Sequence, residues 1–262
     1  TGLIILFIIF VLTSVLVASK RAILAILSMG FSFLLILHFI LPLIMDGKNP
    51  VLIVILASIL LLPVSFYMSH GFSKRTSVSI LSTFITLLIG GGLSIWAVNL
   101  THLTGLVSDE AEFLITSNAN SYDLKGIFLA GILIGMLGVL DDITVSQTAI
   151  VYQLFDANRK LSFKDLVSKA SDVGKNHINS MINTLVLVYT GSSFPLLILF
   201  ITASNGFWDV MNLESIAAEV VRTLVGSISL ILAVPITTYL AAYFVTKNSA
   251  NEGLLNKGED LN

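Results

Sequence analysis

Cysteine is absent from these 262 residues, so no disulfide and no thiolate nucleophile or metal ligand is available. Charge is scarce too. Only 11% of residues are Asp, Glu, Lys or Arg, against about 25% in a soluble domain. There is no HExxH, no phosphate-cradling GxxxxGKS/T, no GxSxG and no zinc-ligand spacing. The four histidines, His38, His70, His102 and His177, are scattered and form no sequence-local metal motif. A net charge of −2 points to no polyanionic partner. These absences remove the commoner hydrolase, nucleotide-binding and zinc classes. What is present is apolar: 55% of the chain is hydrophobic and its mean hydropathy is +0.94, the composition of an integral membrane protein.

About 20 apolar residues are needed to cross the hydrocarbon core. Seven stretches qualify, near 2–18, 22–45, 50–69, 77–100, 126–155, 176–202 and 215–246. The fold expected is therefore all-α, a polytopic bundle of about seven transmembrane helices. Loops decide its orientation. Lys20, Arg21, Lys74, Arg75, Arg159, Lys160, Lys164, Lys169, Lys175, Lys247 and Lys257 fall on one side, and only Lys48 and Lys125 on the other. Eleven basic residues against two put the first side in the cytoplasm. The N-terminus is then outside and the C-terminus inside. Thr1 in place of Met suggests a fragment or processed product with an upstream domain missing.

The chain divides by composition. Residues 1–100 carry four apolar spans, with polar exceptions at His38, Pro63 and Asn99; His38 is expected to be a hydrogen-bonded packing residue. Residues 101–125 form an acidic extracytoplasmic loop, with a short helix expected near Asp109 to Ile115. Residues 126–246 hold three polar-lined spans, where the working core is expected. A cytoplasmic connector at 156–175 separates the first of these from the second, and a tail follows from 247 to 262. Ser162 and Asp165 have capping-box spacing. Phe163, Leu166, Val167 and Ala170 recur on one face after them, which predicts an amphipathic helix lying on the membrane surface.

Asp141 and Asp142 sit side by side in the fifth span, and no other charge lies between Gly126 and Phe155. An ionised carboxylate near the bilayer centre costs at least about 3 kcal/mol by insertion scales. Such groups mark ion, proton or substrate paths. Consecutive helical residues point about 100° apart, so one aspartate faces the path while the other pairs with a neighbouring helix. Asp142 is expected on the path and Asp141 to orient that neighbour. Gly131, Gly135 and Gly138 precede the pair at a spacing that lets another helix approach closely. Gln147 follows it among Thr144, Ser146 and Thr148. In the sixth span Asn176, Ser180, Asn183 and Thr184 make one polar stripe flanked by His177 and Asn179. Pro195 interrupts that span after Gly191, Ser192 and Ser193, as in the broken helices of transporters. In the seventh, Glu219 and Arg222 are three residues apart and able to pair.

The blocks GMLGVLDDITVSQ, GKNHINSMINTLVLVYTGSSFPLLIL and EVVRTLVGSISLILAVPITTYLAA, spread over residues 107–245, resemble the YibE/F family of bacterial membrane proteins. The resemblance implies a multi-pass protein of the bacterial cytoplasmic membrane, often preceded by an extracytoplasmic domain. Asp142, the basic connector and Ile182-Asn183-Thr184 also follow the order seen in SecD/SecF and RND-type transporter helices. That analogy implies proton coupling, although the large periplasmic domains of those proteins are not in this chain.

The function expected is a permease or transporter, coupled to a proton or cation through Asp141 and Asp142. Gln147, Asn176, Asn179, Asn183, Thr184, Glu219 and Arg222 would line the path. The rival is a non-transporting membrane subunit or assembly factor of a larger envelope complex, in which the acidic pair serves packing. A retinal-type receptor has no lysine in its last span here. A membrane aspartyl protease needs its aspartates on different helices, so no enzyme and no cofactor is expected. The partners expected are the lipid bilayer, a small ion or solute, an N-terminal extracytoplasmic domain or partner subunit, and further copies of the chain, but no nucleic acid.

Overall fold

The computed structural model describes residues 2–117, 122–202, 209 and 212–259. Thr1, part of the acidic loop (118–121) and the end of the tail (260–262) lie outside the described residues. Helix dominates and no strand occurs among the described residues. The helices are α1 (Gly2–Ala18), α2 (Lys20–Leu35), α3 (Leu41–Met45), α4 (Pro50–His70), α5 (Lys74–Leu100), α6 (Asp109–Ser117), α7 (Leu124–Ala157), α8 (Phe163–Ser192), α9 (Phe194–Thr202) and α10 (Glu214–Glu259). Five stretches are long and apolar enough to cross a membrane: Ala22–Met45, Pro50–His70, Lys74–Leu100, Leu124–Ala157 and Glu214–Lys247. The chain is thus an all-helical, multi-pass membrane protein.

Helix ends follow local chemistry. Asn49 caps α4 by accepting the Leu52 N–H at 3.0 Å, with Pro50 in the first turn, where no N–H is needed. Ser73 caps α5 through Thr76 N–H, and Asp123 caps α7 through Gly126 N–H. Between α2 and α3, Pro42 has no N–H to return to His38. The ladder there shifts by one residue into a π turn, Ile36–Ile40, with Leu41 N–H donated to Ile36 O. His38 bonds Leu34 O at 3.2 Å across this turn and is otherwise exposed.

The core is a three-helix unit of α5, α7 and α10, flanked by α4 and α8, with α2 outside α4. Its apolar centre includes Val54, Leu87, Leu133, Leu140, Ile143 and Ala233. The expected division after residue 100 is not a packing boundary: the fourth span packs with the fifth and the last, its Ser79, Ser82, Thr83, Thr86 and Ser94 being buried in that unit. Small hydroxyl residues let helix backbones approach and bond each other in lipid.

The connector differs from expectation too. Ser162 caps α8 as its spacing predicts, accepting Asp165 N–H at 3.2 Å. The helix then runs unbroken to Ser192, so connector and sixth span are one element. Its apolar face does not lie on lipid. Leu166 and Ala170 are buried with Val151, Tyr152, Phe155, Ala241 and Val245 of α7 and α10. The break falls at Ser193, whose N–H returns to Tyr189 O at 3.1 Å just before Phe194 and Pro195 open α9.

Candidate functional site

Asp141 lies halfway along α7, a helix of 34 residues. Its neighbour Asp142 points away from it, and the two carboxylates meet different surroundings. Asp141 turns toward the last residue of α4: its Oδ1 is 3.9 Å from His70 Nε2, with the side chains 32% and 39% exposed. That oxygen is itself buried and accepts no hydrogen bond. Asp142 is exposed on the open side of α7.

His70 is held by its position. It ends α4 immediately before Gly71, where φ of +79° reverses the chain into α5, a conformation that suits only glycine well. The imidazole rests edge-on against Phe66, with ring centroids 6.2 Å apart. It also lines a cavity of about 550 Å³ at this end of the bundle, together with Tyr67, Ser73, Arg75, Thr76 and Ser79. Arg75 is tied to Asp156 at 2.6 Å and lies over the Tyr152 ring. One side of His70 therefore meets an open polar cavity and the other meets Asp141.

A hydroxyl seam runs from this point between α5, α7 and α10. Thr144 Oγ1 bonds Thr83 Oγ1 at 2.7 Å and reaches Asp141 O at 3.3 Å. Ser79 Oγ donates to Thr144 O at 3.4 Å. One helical turn on, Gln147 is 1% exposed. Its Nε2 donates to Ala170 O at 3.0 Å and to Thr238 Oγ1 at 2.7 Å, joining α7 to α8 and α10. Gln147 Oε1, Thr148 Oγ1, Ser229 Oγ and Thr237 Oγ1 are buried without a hydrogen-bond partner. Buried polar groups are normally paired, so these unpaired atoms mark a polar interior along the bundle.

The remaining sequence candidates do not converge on Asp141. Asn176, Asn179, Asn183 and Thr184 are exposed along α8, and Thr184 Oγ1 satisfies itself on Ser180 O at 3.1 Å. Glu219 and Arg222 pair at 2.6 Å, with Arg222 also over the Phe128 ring. Phe128 precedes Asp141 by 13 residues, about 20 Å of helix, so this pair belongs to the other half of the bundle. There it borders a separate cavity of about 320 Å³ with Tyr189, Thr190, Ser193 and Thr223. Sequence reasoning passed over His70 and the α5 hydroxyls. The signals were present: a histidine before a glycine turn, and Thr76, Ser79, Thr83 and Thr86 recurring every three or four residues. Among the described residues no three His, Asp or Glu side chains gather as a metal-binding group.

No curated protein and no solved structure matches the chain. A family model described as YibE/F-like protein does, over residues 6–247, and that span includes α4, α5, α7, α8 and nearly all of α10 that crosses the bundle. With nearly the whole chain inside the match, the protein belongs to the YibE/F-like family.

Proposed function

We propose that the chain is a permease of the bacterial cytoplasmic membrane, moving a small ion or solute in exchange for a proton or cation held at Asp141. In this reading the chain crosses the bilayer seven times, with the basic end of the bundle in the cytoplasm. The observation that carries it is the contact between Asp141 Oδ1 and His70 Nε2, 3.9 Å apart, where His70 opens to the basic-end cavity. An ionisable pair at membrane depth is retained for a path or relay. With Nε2 toward Asp141, His70 can accept a proton from the cavity at Nδ1 and release the Nε2 proton to Asp141 Oδ1 when the two side chains close from 3.9 Å to hydrogen-bond distance. The hydroxyls of Thr144, Thr83 and Ser79 offer polar contacts beside that step. Asp141 is favoured over Asp142 as the path residue because its Oδ1 is buried and comes within 3.9 Å of His70 Nε2, whereas Asp142 is exposed.

The test is reconstitution into liposomes with an internal pH or ion reporter. Asn is nearly isosteric with Asp and keeps hydrogen bonding without ionisation. Asp141→Asn is expected to lower the pH- or ion-dependent flux at least tenfold at normal protein levels. Asp142→Asn is expected to leave most of it. His70→Gln, which keeps a donor but cannot carry the proton onward, is expected to fall close to Asp141→Asn. Unchanged flux in all three variants would favour the second reading, a non-transporting subunit of an envelope complex. The open polar face of α7 and α8 is the feature that favours that alternative.

A further inference from the structure

The face of the bundle that Asp142 occupies is polar where lipid would require it to be apolar. Along α7, Gly131, Gly135, Gly138 and Asp142 are all exposed. Beside them α8 exposes Asn176, Asn179, Ser180, Asn183 and Thr184. The two helices run antiparallel, and their register is fixed where Gly174 packs on Gln147. Asp142 lies five residues from Gln147, and Asn179 five residues from Gly174 in the same direction along the bundle. Both are therefore displaced by about 7.5 Å from that contact. Asn179 is thus level with Asp142, and Asn183 lies one helical turn, about 6 Å, farther along.

The glycines point the same way. Glycine costs a helix about 1 kcal/mol relative to alanine, and packing within the chain does not call for it here. A Cβ added at Gly131 or Gly138 would meet nothing within 4 Å, and one at Gly135 would meet only Tyr189 Oη at 3.8 Å. The small surface instead suits another helix backbone coming close from outside.

We propose that this face binds a second copy of the same chain, related by a two-fold axis along the membrane normal. Such a rotation preserves depth, so whatever lies level in one copy meets its counterpart across the interface. The face carries a carboxylate acceptor at Asp142, an amide donor at Asn179 at matching depth and a second amide at Asn183 one turn away. It is self-complementary, as a two-fold interface must be. Amides of one copy donate to Asp142 of the other, and the glycines bring the α7 helices together. The proposal does not depend on transport.

The chain's lack of cysteine provides the test. Gly138→Cys, Asn179→Cys and Asn183→Cys are made singly in the full chain, beside Leu60→Cys and Trp96→Cys on exposed positions of α4 and α5. Each purified protein is reconstituted alone in liposomes and oxidised. At least one of the first three is expected to give disulfide-linked dimer at tenfold or more above both controls. Gly138→Leu, added to Asn183→Cys, places its Cβ where nothing of its own chain lies within 4 Å and is expected to keep the melting temperature while lowering dimer yield at least fivefold. Dimer no higher than in the controls, a yield unmoved by Gly138→Leu, or cross-linking only when other membrane proteins are added would each overturn the proposal.

Discussion

Gln147 and Gly174 show how one residue of α7 fixes the position of α8. Gln147 uses both amide hydrogens, one on Ala170 O and one on Thr238 Oγ1. That geometry needs the α8 backbone close by, and Gly174 permits it. A Cβ there would lie 2.6 Å from Val234 Cγ1 and 2.8 Å from Gln147 Oε1, while Gly174 is itself buried. Overpacking a filled site costs typically about 1–3 kcal/mol. Gly174→Ala is expected to lower the unfolding temperature in detergent by several degrees. Gly226→Ala, where nothing lies within 4 Å, is expected to be neutral or slightly stabilising because alanine is the better helix former. Equal losses from the two substitutions would show that Gly174 is not held by this contact.

At the scale of elements, α5 is the helix whose role changed most between sequence and structure. Its Leu, Ile and Val content is lower than that of the first three spans, yet it is apolar enough to be grouped with them by composition. What separates it is the position of its hydroxyls, since Ser79, Ser82, Thr83 and Thr86 share a face that only α7 and α10 can cover. Five of the seven expected spans were legible as long apolar helices, because hydrocarbon thickness dictates their length. The caps at Ser162 and Asp123 were legible or findable because a side-chain oxygen near a helix start has a local partner. Contacts between helices were not legible. The pairing of Asp141 with His70 joins residues 71 positions apart in sequence, and no local periodicity encodes it. The same holds for α8, whose amphipathic face suits lipid and protein equally until its neighbours are known. The hydroxyl seam makes its own prediction. The Thr83–Thr144 bond at 2.7 Å links α5 to α7, and such interhelical bonds average about 0.6 kcal/mol in membranes. A double-mutant cycle with Thr83→Val and Thr144→Val is expected to give a coupling energy near that size. A coupling indistinguishable from zero would mean that the two helices are held by packing alone.

For the whole molecule, the ends of the helices sort into two sets. At one end Asn49 and Pro50 of α4 meet Gly126 and Asp123 of α7. Lys125 Nζ reaches Asn99 Oδ1 there at 2.7 Å, and Glu214 accepts the Thr104 and Gly105 N–H groups. At the other end Arg75 binds Asp156, and α8 starts from the loop after Ala157. The chain therefore runs toward the Arg75 end in α4, α7 and α10, and away from it in α5 and α8. Basic residues crowd that second end, eleven of them when α1, α2 and the tail are counted with it, while Asp109, Glu110, Glu112 and Glu214 mark the first. In the proposed orientation, which follows the positive-inside preference, the His70 cavity is the cytoplasmic mouth. Single cysteines at Glu112 on α6 and Lys164 on α8, both exposed and neither a helix-capping residue, distinguish the two ends. Membrane-impermeant reagent added to intact cells is expected to label Glu112→Cys and to reach Lys164→Cys only after the membrane is opened. Labelling of both from one side would mean that α7, which joins them, does not cross the membrane. The reverse sidedness would keep the bundle but turn the His70 cavity outward, so the proton reaching Asp141 would then come from outside the cell.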